Sequence, residues 1–555
     1  MKIPKALSFY CWLGLILGVL GGKLQLPATA ADKISFWYSA LEFSVDINDL
    51  EKNLAIDLET PIVEIEGNTL TKVHQQANLI NSPATSETQW QSLLTQAISL
   101  DRVMISRLVN SALGTRILQS IGEIIRVSPS QNGFYALRSA FILAANSSGT
   151  FNLLDVIRQF PADTINIDAQ VIFKLVDAFG QLQTETQKEI AALKKRAAIA
   201  TQNKLITDFT QQPNDLKNPG YFTWHQENLA LYDQKRDRSL VVAFYRPQVN
   251  LEISTKIPLI VISPGFSAKK EHFSYLAEHL ASYGMAVAIL DHPGSDYAQV
   301  ENFFAGTTKE ILTAQELVNR PQDVSFLLDE LQRKQQVNPS SLGNLNLERV
   351  GVIGHSIGSY TALALAGAKL DIKHLKQYCS TKTVDSNWFN LSLVVQCLGS
   401  KLSATKNYQL SDRRVTAIFA MNPFSSKIFG KRGLSQLKIP VVFVGGSQDL
   451  FTPIISEQIK PFAWLGSRQK YLLLIDGGTH VYHRTKLLST LAINPTDNNF
   501  KPQLAREYIK VMSLAFMQTH LAEQAKYRQF LTNNYAQHIS QKPTKLNLVN
   551  SKSLK

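Results

Sequence analysis

A serine hydroxyl is a weak nucleophile at neutral pH and needs a base to take its proton and an acid to orient that base. One stretch of this 555-residue chain holds a serine in a setting that would expose it: Gly354-His355-Ser356-Ile357-Gly358. The apolar residues Val350, Val352 and Ile353 lead into it, and a small-residue, helix-forming run from Thr361 to Ala368 follows. Strand, sharp turn and helix is the arrangement that lifts a serine hydroxyl clear of the backbone, and glycines two positions either side let the chain fold that tightly. Ser356 is the candidate nucleophile for acyl transfer.

The partners are expected downstream in the order serine, acid, histidine. Of His374, His480, His483, His520 and His538, His480 stands best, on the glycine-rich turn Asp476-Gly477-Gly478-Thr479-His480 directly after an apolar run; His483 is its backup. Asp449 follows another apolar run, in Gly445-Gly446-Ser447-Gln448-Asp449 just ahead of Thr452-Pro453. It is preferred as the acid over Asp476, which is too near His480 in sequence to reach the far ring nitrogen. A developing oxyanion needs two backbone donors. The N–H of Ile357 is one, and the N–H of Phe266, in Ser263-Pro264-Gly265-Phe266 after an earlier strand, is the other.

These groups meet only if several strands end at one sheet edge. Apolar runs at 240–245, 259–263, 286–290, 350–354, 415–420, 441–444 and 471–475, joined by helix-length connections, predict a parallel sheet covered on both faces. The stretch 370–413 is longer than a plain crossover and carries Trp388, Phe389, Leu391, Leu393, Cys379 and Cys397. It reads as an insertion over the strand ends, a lid or substrate wall, or else a surface elaboration. Upstream, helical periodicity at Trp90, Leu93, Leu94 and Ala97, at Ile117, Leu118, Ile121 and Ile124, and at Leu137, Ala140, Phe141 and Ala144 predicts a small α-rich domain over 31–168. Two brief alternating runs interrupt it, one at Ile34, Phe36 and Tyr38 and one at Val63 and Ile65. Residues 169–212 read as a long helix, to 202, and its exit, either a connector with a solvated face or a helix lying on lipid or over the site. The prolines of 213–220 mark a boundary; 213–496 is the catalytic domain and 497–555 a helix with a flexible, lysine-bearing tail.

Residues 1–30 have Lys2 and Lys5, an apolar run and Ala28-Thr29-Ala30, the pattern of a secretory signal peptide. The expected location is periplasmic or extracellular. Two cysteines remain after the leader, and in an oxidising compartment Cys379 and Cys397 are either a disulfide or two buried thiols. Of the formal charge of +13, seven lysines of the leader region and tail account for a majority, leaving +6 on the folded body. That is compatible with peripheral contact to an anionic membrane surface and too weak to argue for nucleic acid.

From about residue 222 to 483 the chain resembles α/β-hydrolases of the platelet-activating-factor acetylhydrolase type. The resemblance rests on Ser263-Pro264-Gly265-Phe266, Asp291-His292-Pro293-Gly294, Arg320-Pro321-Gln322-Asp323 and the serine turn. Residues 34–168 are similar to a domain of unknown function found ahead of such hydrolases, largely in cyanobacteria. The resemblance implies an α/β-hydrolase fold, a mostly parallel sheet with helices on both faces. In the acetylhydrolases the acid belongs to the strand that here runs into Ala420-Met421-Asn422-Pro423, yet 415–426 contains no Asp or Glu. The acid is therefore expected one strand on, at Asp449. Arg320 and Asp323 read as structural, with Asp323 suited to a helix N-terminus.

The expectation is an exported serine hydrolase of carboxylic esters, lipid-like or acetyl, needing no cofactor or metal. The alternatives are a peptide or thioester hydrolase using the same residues, or a non-catalytic envelope scaffold.

Overall fold

The computed structural model describes residues 30–38, 41–49, 94–145, 149–202, 209, 215–248, 256–338, 342–380, 390–481 and 500–551. The expected leader (except Ala30), the run at Val63 and Ile65, Trp90, Leu93, Trp388, Phe389 and His483 lie outside them. The chain divides into two compact units, Met1–Phe173 and Lys174–Lys555. The division falls inside the helix Ala169–Gln202 and not at 213–220.

The first unit is mixed rather than α-rich. Its strands β1 (Lys33–Tyr38), β2 (Leu41–Asp46), β3 (Ile125–Ser128), β4 (Gln131–Asn132) and β5 (Thr164–Asp168) form a five-stranded sheet in the order β2-β1-β5-β3-β4. The helices include Arg102–Asn110, Ala112–Gly122, Phe134–Ala144 and Leu153–Arg158, the second and third on the expected periodic stretches. The alternating run at Ile34, Phe36 and Tyr38 is β1, but the rest of the sheet escapes a periodicity reading because β1 pairs in parallel with β5, Lys33 against Thr164. No short window contains both partners.

In the second unit, β6 (Trp224–Asp233), β7 (Arg238–Pro247), β8 (Ile257–Ser263), β9 (Ala286–Asp291), β10 (Leu345–His355), β11 (Val415–Met421), β12 (Val441–Gly446), β13 (Lys470–Ile475) and β14 (Leu546–Asn550) make one nine-stranded sheet. Its order is β14-β13-β12-β11-β10-β8-β9-β7-β6, so β10 is the central strand. The strands β8 to β13 are parallel, while β6 and β7 at one edge and β14 at the other are antiparallel to their neighbours. Alternate residues of the parallel strands, such as Ile260, Ile353, Phe419 and Val442, pack in one core with the helices Ser274–Ser282 and Pro502–His520. Helices Glu316–Val337 and Ile357–Leu365 pack on the sheet as well, and with Phe443 facing Phe462 they cover the opposite side. Each fully buried aliphatic side chain here contributes about 1.5–3 kcal/mol of transfer free energy, which is why these strands are apolar on both faces.

One expectation is corrected. The tail is not free after Gln541: Leu546, Leu548 and Val549 are buried, and β14 covers the edge that β13 would otherwise leave unpaired. The long helix is continuous from Ala169 to Gln202, and in its charged second half Lys188, Glu189, Lys195 and Arg196 are exposed, the solvated face that its pattern predicts. Leu193 and Ala197 are buried, Ile190 packs against Ile454, Ile455 and Leu474, and Lys194 pairs with Asp476 at 2.7 Å.

Candidate active site

Ser356 occupies the turn between β10 and the helix Ile357–Leu365 at φ 55°, ψ −119°, outside the conformations that L-residues prefer. The flanking glycines are forced by contact. A Cβ on Gly354 would lie 2.2 Å from the Gly358 carbonyl oxygen, and one on Gly358 would lie 1.8 Å from the Ser263 carbonyl oxygen. The turn is tied down by Ser356 N–H donating to Met421 O at 2.9 Å and by Ser359 Oγ donating to Gly354 O and Met421 O. Its strain is held by a packed surround, as strained functional residues require.

The strand ends bring three side chains of the expected set together. His480, after β13, has Nε2 2.9 Å from Ser356 Oγ and Nδ1 2.9 Å from Asp449 Oδ2, with Asp449 following β12. An ionised carboxylate only accepts, so Nδ1 carries the proton, Nε2 accepts, and the Ser356 hydroxyl donates to it. Asp449 is fully buried and His480 is slightly exposed. Burial alone would raise the Asp449 pKa, but the facing His480 and the hydrogen bonds from His480 and Thr452 outweigh it and hold the carboxyl below its usual range. Asp476, the competing acid, is turned to Lys194 instead.

Four contributors are not evident from the motifs. Asn422, at the end of β11 with φ 48°, donates from Nδ2 to Asp449 Oδ2 at 2.5 Å and to the Thr479 carbonyl at 3.3 Å. Thr452 donates its hydroxyl to Asp449 Oδ2 at 2.6 Å, while the N–H groups of Phe451 and Thr452 donate to Oδ1, each at 2.8 Å. That Asx-type turn is signalled in sequence only by Asp449 lying three residues before Thr452-Pro453. His355 donates from Nε2 to the His480 carbonyl at 2.8 Å and so fixes the backbone that carries the imidazole. Burial, with the neighbouring His480, pushes the His355 pKa down to about 4, so it stays neutral. Phe451 stacks on the His480 ring at 5.1 Å.

β8 is the third strand of this sheet in chain order, and the loop after it carries Phe266. It runs against the serine turn, for a Cβ on Gly265 would lie 2.8 Å from His355 Nδ1. Among the described residues neither the Phe266 N–H nor the Ile357 N–H is taken up by a protein acceptor. Ile357 is the first residue of its helix, where N–H groups lack intrahelical partners. Arg320 and Asp323 lie one to two turns inside the helix Glu316–Val337, not at its N-terminus, and both are buried.

The insertion is cross-linked within itself and docked on the sheet domain by polar links. Cys379 and Cys397 form a disulfide that joins the helices Ile372–Ser380 and Ser392–Leu398. The buried Glu457 accepts from Asn390 and Gln396 of the insertion and from the N–H groups of Ser425 and Ser426. Ser392 N–H donates to the Phe451 carbonyl at 2.7 Å, which connects the insertion to the ring stacked on His480. A cavity of about 460 Å³ lies elsewhere, between Glu185–Arg196 of the long helix and residues 455–472, and takes no residue from the serine site. Among the described residues no group of three or more His, Cys, Asp or Glu side chains is placed to hold a metal ion, and no helix is long and apolar enough to cross a membrane.

Among curated proteins none matches this chain in sequence. Residues 30–168 match the model of a family described as alpha/beta hydrolase of unknown function, DUF1400. The match covers the first unit, while the serine turn lies in the second. The description agrees with the architecture of the nine-stranded sheet: the chain is similar to α/β hydrolases, with a parallel-rich sheet covered by helices on both sides.

Proposed function

We propose that this chain is a serine hydrolase acting on carboxylic esters, with Ser356 as nucleophile, His480 as general base and acid, and Asp449 as the orienting acid. The observation that carries the reading is the unbroken line from Ser356 Oγ through both His480 nitrogens to Asp449, at 2.9 Å for each bond. Ser356 Oγ attacks the ester carbonyl as its proton passes to His480 Nε2. The N–H groups of Phe266 and Ile357 receive the oxyanion. Collapse of the adduct expels the alcohol, which takes the proton from Nε2, and leaves an acyl-Ser356. Water, deprotonated by His480, then releases the carboxylic acid. Oxyanion donors of this kind contribute about 10²–10³ in rate each.

An apolar acyl or alcohol group is favoured by the exposed Leu391 and Leu450, which adjoin the Ser392–Phe451 bond beside His480. Acetylhydrolase-like and lipid-like esters both fit that description, and a membrane surface is one place to meet them. Export is supported by the leader pattern and by the Cys379–Cys397 disulfide, which persists in oxidising compartments.

The test is labelling by a fluorophosphonate probe together with hydrolysis of a panel of p-nitrophenyl esters, thioesters and peptides. Label on the wild type, none on Ser356→Ala, and turnover confined to the esters are expected. An unlabelled wild type would leave a scaffold and sink the reading.

A further inference from the structure

The second unit contains another serine, histidine and aspartate in line, and the proposed chemistry does not use them. Asp323 Oδ2 lies 3.0 Å from His292 Nδ1, and His292 Nε2 lies 2.9 Å from Ser263 Oγ. All three are sealed from solvent, at 0% to 1% exposure, so no substrate reaches them. The direction of the hydrogen bonds follows from Asp323. It is held below the usual carboxylate range, burial being outweighed by its bonds to His292 and Arg238. His292 therefore donates from Nδ1 and accepts at Nε2 from the Ser263 hydroxyl, and the Ser263 oxygen accepts from Arg320 Nη2 at 3.2 Å.

Arg320 is where this chain ends and where the oxyanion loop is gripped. Its Nη2 also donates to the Pro264 carbonyl, and Nη1 donates to Ser295 Oγ at 2.7 Å. The Ser295 carbonyl in turn accepts from Ser267 N–H at 3.0 Å. Gly265 and Phe266 are thus held from both sides, through Pro264 and through Ser267. On its remaining face Arg320 Nε donates to Thr361 Oγ1 at 3.3 Å, and Thr361 donates to the Ile357 carbonyl at 2.9 Å. One guanidinium bridges the two segments that carry the Phe266 and Ile357 N–H groups. The helix bearing it is tied to the same turn again. Pro321 has no N–H to offer the Leu317 carbonyl, and Tyr360 Oη fills that place at 2.7 Å.

We propose that Arg320, backed by Asp323, His292 and Ser263, is a positioning residue that sets the spacing of the two oxyanion donors. A planar guanidinium suits the task because its donors leave in fixed directions, whereas an ammonium is a single point. Burial draws the Arg320 pKa down to about 10, opposed by Glu316 and Asp323, so the group remains charged at neutral pH. The inference rests on the proposed serine chemistry and adds the part that aligns its transition state.

The variants are Arg320→Lys, Thr361→Val and Thr361→Ser. The readouts are kcat and KM on p-nitrophenyl acetate, inhibition by phenylboronic acid, which forms a tetrahedral adduct on a reactive serine, and a melt to give the folded fraction. For Arg320→Lys the expected result is a kcat lower by about tenfold to hundredfold, an unchanged KM and an equal loss of boronate affinity, since misplaced donors cost the transition state and not the ground state. Thr361→Val should lose several-fold in the same two quantities, and Thr361→Ser, which keeps the hydroxyl, should match the wild type. If Arg320→Lys does not fold, the Thr361 pair decides alone. An inactive, unlabelled wild type overturns the serine chemistry itself. An active wild type whose Arg320→Lys and Thr361→Val forms keep kcat and boronate affinity within twofold, or lose KM instead, overturns only the positioning role.

Discussion

Replacing Asp449 by Asn tests the proposed acid most directly, because the structure dictates where the amide must point. Oδ1 accepts from two backbone N–H groups, those of Phe451 and Thr452, and the new side-chain oxygen has to stay there. The NH₂ then takes the place of Oδ2, facing His480 Nδ1, Asn422 Nδ2 and Thr452 Oγ1. Three groups that donated now meet a donor. The imidazole can adapt by moving its proton to Nε2, but Nε2–H faces Ser356 Oγ and cannot take the serine proton. A wrong-tautomer histidine of this kind costs about 10⁴ in kcat, or about 5.5 kcal/mol in the barrier. The unmatched donors should also lower stability by about 1–3 kcal/mol each, less whatever rotation recovers. Steady-state hydrolysis of p-nitrophenyl acetate, normalised by active-site titration and a melt, separates the two effects. Asp476→Asn serves as the control. It removes one half-exposed pair with Lys194 and should leave kcat within about twofold. Asp449→Asn retaining a tenth of wild-type kcat, or Asp476→Asn suffering the larger loss, would refute the assignment.

The pH dependence of stability should begin unusually early on acidification. Burial holds His292, His355 and His520 down to about 4, so the folded protein leaves them neutral while the unfolded chain protonates them below about 6.5. Their contribution is complete above pH 6.5 and falls by up to about 1.4 kcal/mol per pH unit for each as pH drops towards 4; a Tm constant down to pH 5 would contradict it. Gly358→Ala forces a methyl against the Ser263 carbonyl and should yield insoluble or inactive protein; a soluble variant with wild-type melting and turnover would show that the turn relaxes. Changing Cys379 and Cys397 together to Ser opens the cross-link across 18 positions and should cost about 3 kcal/mol, read as a lower Tm that reductant no longer shifts; equal Tm values with and without the cysteines would rule out a stabilising bond.

The parallel core and the serine turn were legible because their causes are local. Fully buried strands must be apolar on both faces, and the turn around Ser356 leaves no room for a Cβ at Gly354 or Gly358. The order of Ser356, Asp449 and His480 needed only the positions of apolar runs and the polar residue that follows each. Of the first unit's sheet only the alternating run that forms β1 was legible, and β14 was not. β1 and β5 pair across most of the unit, and β14 is a brief Leu-Asn-Leu-Val-Asn run whose reason for ordering is the open edge of β13, far away in sequence. The solvated face of the long helix was legible from its charges, whereas the burial of Leu193 and Ala197 and the pairing of Lys194 with Asp476 depend on partners far away in sequence.

The end of β11 shows why excluding a residue from one role does not empty its position. Asn422 has no charge to orient a histidine, so the carboxylate has to come from the neighbouring strand. Yet Asn422 keeps φ 48°, a strained angle that asparagine tolerates better than most residues, and its amide is aimed at Asp449. The backbone there carries the Met421 carbonyl, which accepts from Ser356 N–H and Ser359 Oγ, so the same turn steadies both Ser356 and Asp449. An aspartate at 422 would face Asp449 at hydrogen-bond distance, and two carboxylates so close cannot both ionise. With Asp449 just after β12, an amide donor is therefore what the end of β11 requires: it satisfies Oδ2, leaves the charge undivided and holds the strand ends in register around Ser356.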